Sequence, residues 1–464
     1  MENHKKTAVR ARWVLADQEG GPALLENRWV VVEGGRIAAV ADGKPQGCDV
    51  VVDRPGLLVL PGLINMHNHC FTELLVRSRT EDMSSAFMEN GLVYGLLMPL
   101  GKLAMERLTP EERKAALRLG VLQLILGGAT TVMESFRAGL SEIFEAANEL
   151  GIRFWGVPYV FSTPDIDVGA DGKPVFAGGS GDGAADLAQW QALHQRWAGA
   201  ADGRIQVGLG PHAPDTCGPD LLRAVRTLAD ETGCLVTTHL AQTKSELDHT
   251  ARLYGRTPAE YLQWVGLLGP DLSVAHSIFS TDADLDLLKA TGTTVINCPR
   301  TFARTGTYAP FARFAGHGIR TVIGTDGYNM DLVGELGAAG QIAKLYAGES
   351  GVATARELVG AVTTGAAAAL KRDDLGRIAP GATADLTAID LSRPRFQPQS
   401  DPLRSMVWRA SAADVSMTMV GGRILVEGGR YQLADEDAIA AAGAAAFEKI
   451  WSSPEGAAIR ARGG

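Results

Sequence analysis

Between residues 7 and 57, apolar and polar positions alternate with a period near two in the short runs RWVLA, RWVVVEGGRIAAVA and DVVVD, joined by turn residues. Strand side chains point to alternate faces, so this pattern predicts a small meander of strands and no helix. From about 59 to 375 the texture becomes a repeated unit: a β-branched apolar run, a polar loop and an amphipathic stretch rich in Ala and Leu. The runs are LVLPGLINMH, GATTVME, IRFWGVPYV, IQVGLGPH, CLVTTH, LSVAH, TTVINCP and RTVIGTD. Strands alternating with helices imply a parallel sheet, and eight strands suffice to close a (β/α)8 TIM barrel. Strand texture returns in GRIAPGATADLTAID and VSMTMVGGRILVEGGRYQL, and an Ala-rich helical tail follows from about 436. The expected division is 1–58, 59–375, 376–435 and 436–464, with the two flanking β segments as halves of one sheet domain.

An open doubly wound sheet would give the same alternation. No GxGxxG or GxxxxGK[ST] opens a helix after any run, so the usual marker of nucleotide binding in such a sheet is missing. The positions of the histidines favour the barrel. Five of the nine, His67, His69, His212, His239 and His276, fall at or just past the C-terminal end of a predicted strand, and Asp326 closes another. In a barrel those ends share one face, where residues distant in sequence converge.

His67 and His69 are two apart on an extended segment, so both imidazoles point to one side. With His239 and Asp326 they supply the neutral-imidazole and carboxylate set that suits a divalent ion with one position left open for water. One ion per chain is expected, zinc first, with manganese, iron or cobalt as alternatives. Asn65 projects to the same side; amide oxygen is a weak zinc ligand, so it is read as a support for the ligands. Cys70 and Cys298 have no finger-type spacing and are read as buried small residues. His4, His194, His249 and His317 lie in polar or helical surroundings and are read as solvated.

Composition narrows the partners. A formal charge of −9 offers no basic face for nucleic acid. The five scattered cysteines form no disulfide framework and fit a reducing cytoplasm. No apolar run has the length of a membrane span, and the N-terminus has no signal-peptide core. A small-molecule substrate and a homodimer or homotetramer are expected.

The ordered motifs PGLINMHNH, GATTVME, GPHAPDTC, THLAQT, VAHS, VINCP and IGTDG resemble those of the amidohydrolase superfamily, in its branch of triazine hydrolases and related deaminases. The resemblance spans nearly the whole chain. It implies a (β/α)8 barrel with a composite β-sandwich built from both termini. It also implies His67, His69, His239 and Asp326 as metal ligands, Asp326 as proton carrier, and His276 beside the attacking water or the substrate carbonyl. His212 matches a substrate-contacting histidine of the deaminases. Arg300 and Tyr328 are taken as further substrate contacts. No lysine ends strand four, in RIQVGLGPHA, so the bridging lysine of two-metal relatives has no counterpart.

The chain departs from the pattern at Gln242. Deaminases of the branch carry a glutamate there to protonate a ring nitrogen, and a glutamine cannot transfer that proton. This favours hydrolysis of an amide, urea, carbamate or thiocarbamate, as in the phenylurea hydrolases and molinate hydrolase, whose Asn-x-His variant resembles Asn65-x-His67. The alternatives are a deaminase or dechlorinase of an aminated heterocycle (purine, pterin or triazine) and a non-catalytic binding module. Segments 71–106, 161–185 and 299–316, with Phe71, Phe87, Met88, Tyr94, Phe302 and Tyr308, are expected to line an apolar pocket.

Overall fold

The computed structural model of the protein describes residues 5–78, 92–137, 141–163, 166–168, 174–176, 181–304 and 306–460. The alternating N-terminal segment forms β1 (Thr7–Gln18), β2 (Gly21–Glu33), β3 (Arg36–Ala41), β4 (Val50–Asp53) and β5 (Leu57–Pro61). The first predicted run, LVLPGLINMH, is two strands. Its first half is β5, and its second half is β6 (Leu63–Asn68), which pairs with β7 (Ala129–Arg137). The chain changes sheets at Gly62, where a Cβ would lie 2.2 Å from the Thr130 hydroxyl oxygen, so no larger residue fits.

β7 pairs in parallel with β8 (Arg153–Val160). After two short strands outside the main sheets, β9 (Ile166–Val168) and β10 (Pro174–Phe176), the fourth run appears as two pieces, β11 (Ile205–Val207) and β12 (Gly210–Pro211), both parallel to β8. A second parallel sheet contains β13 (Val236–Leu240), β14 (Leu272–His276), β15 (Thr294–Asn297) and β16 (Thr321–Ile323). Parallel bridges connect the two sheets at both margins. At one, Asn68 faces Asp326 and the Asp326 N–H donates to the His67 carbonyl at 2.9 Å. At the other, Leu209 faces Val236 and the Leu209 N–H donates to the Leu235 carbonyl at 2.9 Å. The described inner strands therefore run in one direction, and their C-terminal ends share a face.

The C-terminal strands β17 (Leu386–Asp390), β18 (Val415–Val420), β19 (Arg423–Glu427) and β20 (Arg430–Tyr431) join the N-terminal ones in a single nine-stranded sheet through the β17–β5 pairing. The final helical segment is not a loose tail. Helix Glu436–Trp451 packs on helix Pro110–Leu126, and the buried Trp451 indole donates to the Leu75 carbonyl at 2.6 Å. No helix of the described residues is long and apolar enough to cross a membrane.

Candidate metal centre and its cavity

Four strand ends bring five side chains to one point. His67 lies in β6 with His69 just beyond it, His239 in β13, His276 at the end of β14, and Asp326 three residues past β16. An Asp326 carboxylate oxygen lies 3.7 Å from His67 Nε2, 3.3 Å from His69 Nε2 and, through its other oxygen, 3.8 Å from His276 Nε2. His67, His239 and His276 form a second triad, with ligand atoms within 4.8 Å of one another. Gly324 lets the last strand approach this closely, since a Cβ there would meet the His67 backbone at 2.7 Å. His276 and Asp326 both have left-handed backbones, with φ of +80° and +55°, a strain that marks functional positions.

The donor set fits a metal ion. Neither ring nitrogen of buried His67 makes a hydrogen bond, and His276 Nδ1 has none. Water-excluded polar atoms are normally paired, so lone pairs spared in this way mark a place for a cation. The other two rings are oriented through their far sides: His69 Nδ1 is 2.8 Å from the Ser135 carbonyl and His239 Nδ1 2.8 Å from the His212 carbonyl. A carbonyl only accepts, so each Nδ1 carries the proton and each Nε2 keeps its lone pair for an ion.

Burial pushes His67 and His239 far below the usual histidine range, and neighbouring histidines add to the effect. His276 falls to about 4 and His212 to about 3, again chiefly by burial. Neutral imidazoles are what metal ligation requires. Burial alone would raise Asp326, but the facing His276, His69 and His67 outweigh it and hold the carboxyl below the ordinary carboxylate range.

Asn65 supports the ligands. Its Nδ2 donates to the Thr325 hydroxyl at 2.7 Å and its Oδ1 accepts the Thr325 N–H at 3.1 Å, tying β6 to the segment that carries Asp326. Cys70 and Cys298 are buried, and Cys298 Sγ stands with ligand atoms of His276 and Asp326 inside 4.8 Å, closer to the centre than its sequence context suggests. Of the histidines read as solvated, His194, His249 and His317 are half-buried, and His4 lies outside the described residues. His194 stacks on Trp190, and His317 Nδ1 is bonded to the Arg313 carbonyl.

Above the cluster lies a cavity of about 130 Å³. His212, Gln242, Phe71, Tyr94 and Phe302 line it. Phe87 and Met88 lie outside the described residues, and Tyr308 is half-exposed away from the lining. Two assigned contacts need correction, because neither Arg300 nor Tyr328 lines this cavity. Arg300 is held by carboxylates at the start of helix Leu332–Ala347, Asp331 at 3.6 Å and Glu335 at 3.7 Å. Tyr328 borders a separate crevice with Glu73 and Arg77, and the Arg304 guanidinium lies over its ring. Arg304, one helical turn after Arg300, and Arg137 are the guanidinium groups at the cavity.

Two lining residues escape a reading by strand-end histidines. Glu134, the carboxylate of GATTVME, accepts from the Cys70 N–H at 2.7 Å and from the Asn68 amide, and burial pushes its carboxyl up. Tyr159, near the end of β8, places its hydroxyl 3.5 Å from His69 Nε2 and 3.4 Å from His239 Nε2. The only available signal for Tyr159 was a hydroxyl-bearing residue next to last in an apolar strand.

A 5-methylthioadenosine/S-adenosylhomocysteine deaminase of Symbiobacterium thermophilum is 32% identical over 419 residues, covering 88% of this chain and 91% of the relative. A 5'-deoxyadenosine deaminase of Methanothermobacter thermautotrophicus is 30% identical over 413 residues, covering 88% and 91%. Among solved structures, atrazine chlorohydrolase from Arthrobacter aurescens complexed with zinc superposes with a TM-score of 0.83 at 24% identity, covering 95% of this chain and 100% of that one. The model of the amidohydrolase family matches residues 58–425, a span holding every strand end described above, and the chain belongs to that family.

Proposed function

We propose that the protein is a zinc-dependent aminohydrolase that removes the amino group of an adenine nucleoside with a small or apolar 5' substituent, working at the mouth of a closed (β/α)8 barrel. The observation that carries this reading is the His/Asp cluster, in a chain about 30% identical over most of its length to deaminases of such nucleosides. It reverses the preference for amides and ureas drawn from Gln242 alone.

His67, His69, His239 and Asp326 would hold the ion, which supplies a water whose pKa drops from about 15.7 toward about 7. Asp326 would accept a proton from the attacking water as the water oxygen bonds to the amino-bearing carbon, and would deliver that proton to the departing nitrogen as the C–N bond breaks, releasing ammonia. Neutral His276 donates a hydrogen bond to the oxygen being added. His212 and Gln242 contact the heterocycle, and Gln242 donates an amide N–H where it has no proton to give up. The apolar wall from Phe71, Leu97, Met98 and Phe161 receives the 5' substituent.

Gln242 itself favours a second reading, hydrolysis of an amide, urea, carbamate or thiocarbamate. One assay separates the two. Purified protein with its metal should release ammonia from 5'-deoxyadenosine or 5'-methylthioadenosine and leave anilides and phenylureas intact; turnover confined to anilides, ureas or carbamates would overturn the deaminase reading. A homodimer or homotetramer free in the cytoplasm belongs to the same proposal, and light scattering and cell fractionation test it.

A further inference from the structure

We propose that Tyr159 is a substrate-facing hydrogen-bond donor that takes over part of the charge stabilisation Gln242 cannot give. The inference rests on the metal-site reading above and goes beyond it. The phenol is buried, lines the cavity, and lies within 3.5 Å of the Nε2 atoms of both His69 and His239. Those are the two nitrogens that the Nδ1 bonds to carbonyls leave free for an ion. Once they hold one, neither can accept a hydrogen bond from the phenol. A buried hydroxyl without an acceptor costs about 1–3 kcal/mol, so its O–H turns to whatever occupies the adjoining cavity. The Ser135 hydroxyl beside it is placed to donate to the phenol oxygen, which fills that oxygen and leaves the phenol's own O–H still to be placed.

The ring is held for this task. It packs edge-on against His212 at 4.9 Å and against Phe161 at 5.9 Å, so the hydroxyl stays aimed at the centre. An ordinary phenol is protonated at neutral pH and therefore a donor. With Gln242 unable to protonate the substrate, a neutral O–H aimed at the atom that gathers negative charge stabilises the transition state more than the ground state, which is the condition for raising kcat.

The test is Tyr159→Phe, which removes one oxygen and keeps both ring contacts. With whichever substrate the wild type turns over, kcat should fall about 10²–10³-fold, the range for one such donor. KM and zinc per chain should change little. Adding zinc to chelated wild-type protein should perturb the near-ultraviolet tyrosine band as the phenol changes partner, and the variant should lose that component. Retained kcat, a tyrosine signal unaltered in the variant, or zinc lost in step with activity would each overturn the proposal. The substrate is chosen by wild-type turnover, so failure of the deaminase reading shows separately, in the wild type.

Discussion

The two ends of β8 solve opposite problems. At its start, Arg153 meets Asp385 in a buried two-point pair, Nε at 2.8 Å and Nη2 at 3.1 Å, and Asp385 also accepts the Gly421 N–H at 2.7 Å. The pair fastens the inner strands to the terminal sheet, and its charges are spent on each other. At the other end, Tyr159 stands among histidines whose lone pairs are spared, beside a strained Asp326 and His276. In parallel α/β folds, chemistry gathers at the C-terminal strand ends and fastening at the N-terminal ones. Here one strand of eight residues shows both. Polar groups that satisfy each other stabilise the fold, whereas groups left unsatisfied by the protein are available to an ion and a substrate.

The comparison breaks most sharply under substitution at each end. Asp326→Asn should lower kcat by at least about 10²–10⁴-fold, the usual worth of a positioned acid–base, with metal largely retained. Metal analysis beside steady-state rates checks it, and unchanged turnover would remove Asp326 as proton carrier. Arg153→Met should do the reverse. It leaves Asp385 buried without its partner, which costs about 3–5 kcal/mol of stability by denaturant titration, while the protein still folded keeps its metal and its kcat. If Arg153→Met lost metal in proportion to stability, the two ends would be one cooperative unit.

A smaller effect sharpens the boundary between them. Asn65 touches no substrate position but ties His67 to the segment bearing Asp326 through Thr325. Asn65→Ala should weaken metal binding about 10–100-fold, the usual loss for a residue that orients ligands, and cost about 1–3 kcal/mol of stability through the Thr325 N–H left unpaired. Competition with a chromogenic chelator measures it. Wild-type affinity would mean that the Asp326–His67 backbone bond alone sets the geometry.

How far the centre was legible in the sequence follows from the same physics. His67, His69, His239, His276 and Asp326 were readable because a strand end fixes where a side chain goes, and parallel strands bring their ends together. Arg300 was not. It sits in helix Pro299–Ala303, and its direction depends on Asp331 and Glu335 some thirty residues later, a tertiary pairing no local pattern encodes. Tyr159 was hidden because an aromatic residue in an apolar strand is normally core. The split of LVLPGLINMH between two sheets was hidden too, since both halves are fully buried and the break depends on how closely Thr130 approaches Gly62.

The smallest expected effect concerns acid. His212 and His276 lie at about 3 and about 4 in the folded protein, mainly through burial, against about 6.5 in an unfolded chain. Both are lowered basic groups. Above about pH 6.5 neither state binds their protons, and their contribution to stability is complete. As the pH falls below that value the unfolded chain takes up protons the folded one refuses, so stability drops progressively until the pH reaches about 4 for His276 and about 3 for His212. Asp326, held low, loses its own contribution in the same direction at still lower pH. The Arg153 end has a guanidinium that stays charged throughout, so the loss belongs to the C-terminal face. Melting temperatures of chelated protein should therefore decline between about pH 6.5 and 4, and His212→Asn should flatten that decline without shifting the plateau above it. A decline equally steep in the variant would take His212 out of the account and leave His276 with its neighbours to explain it.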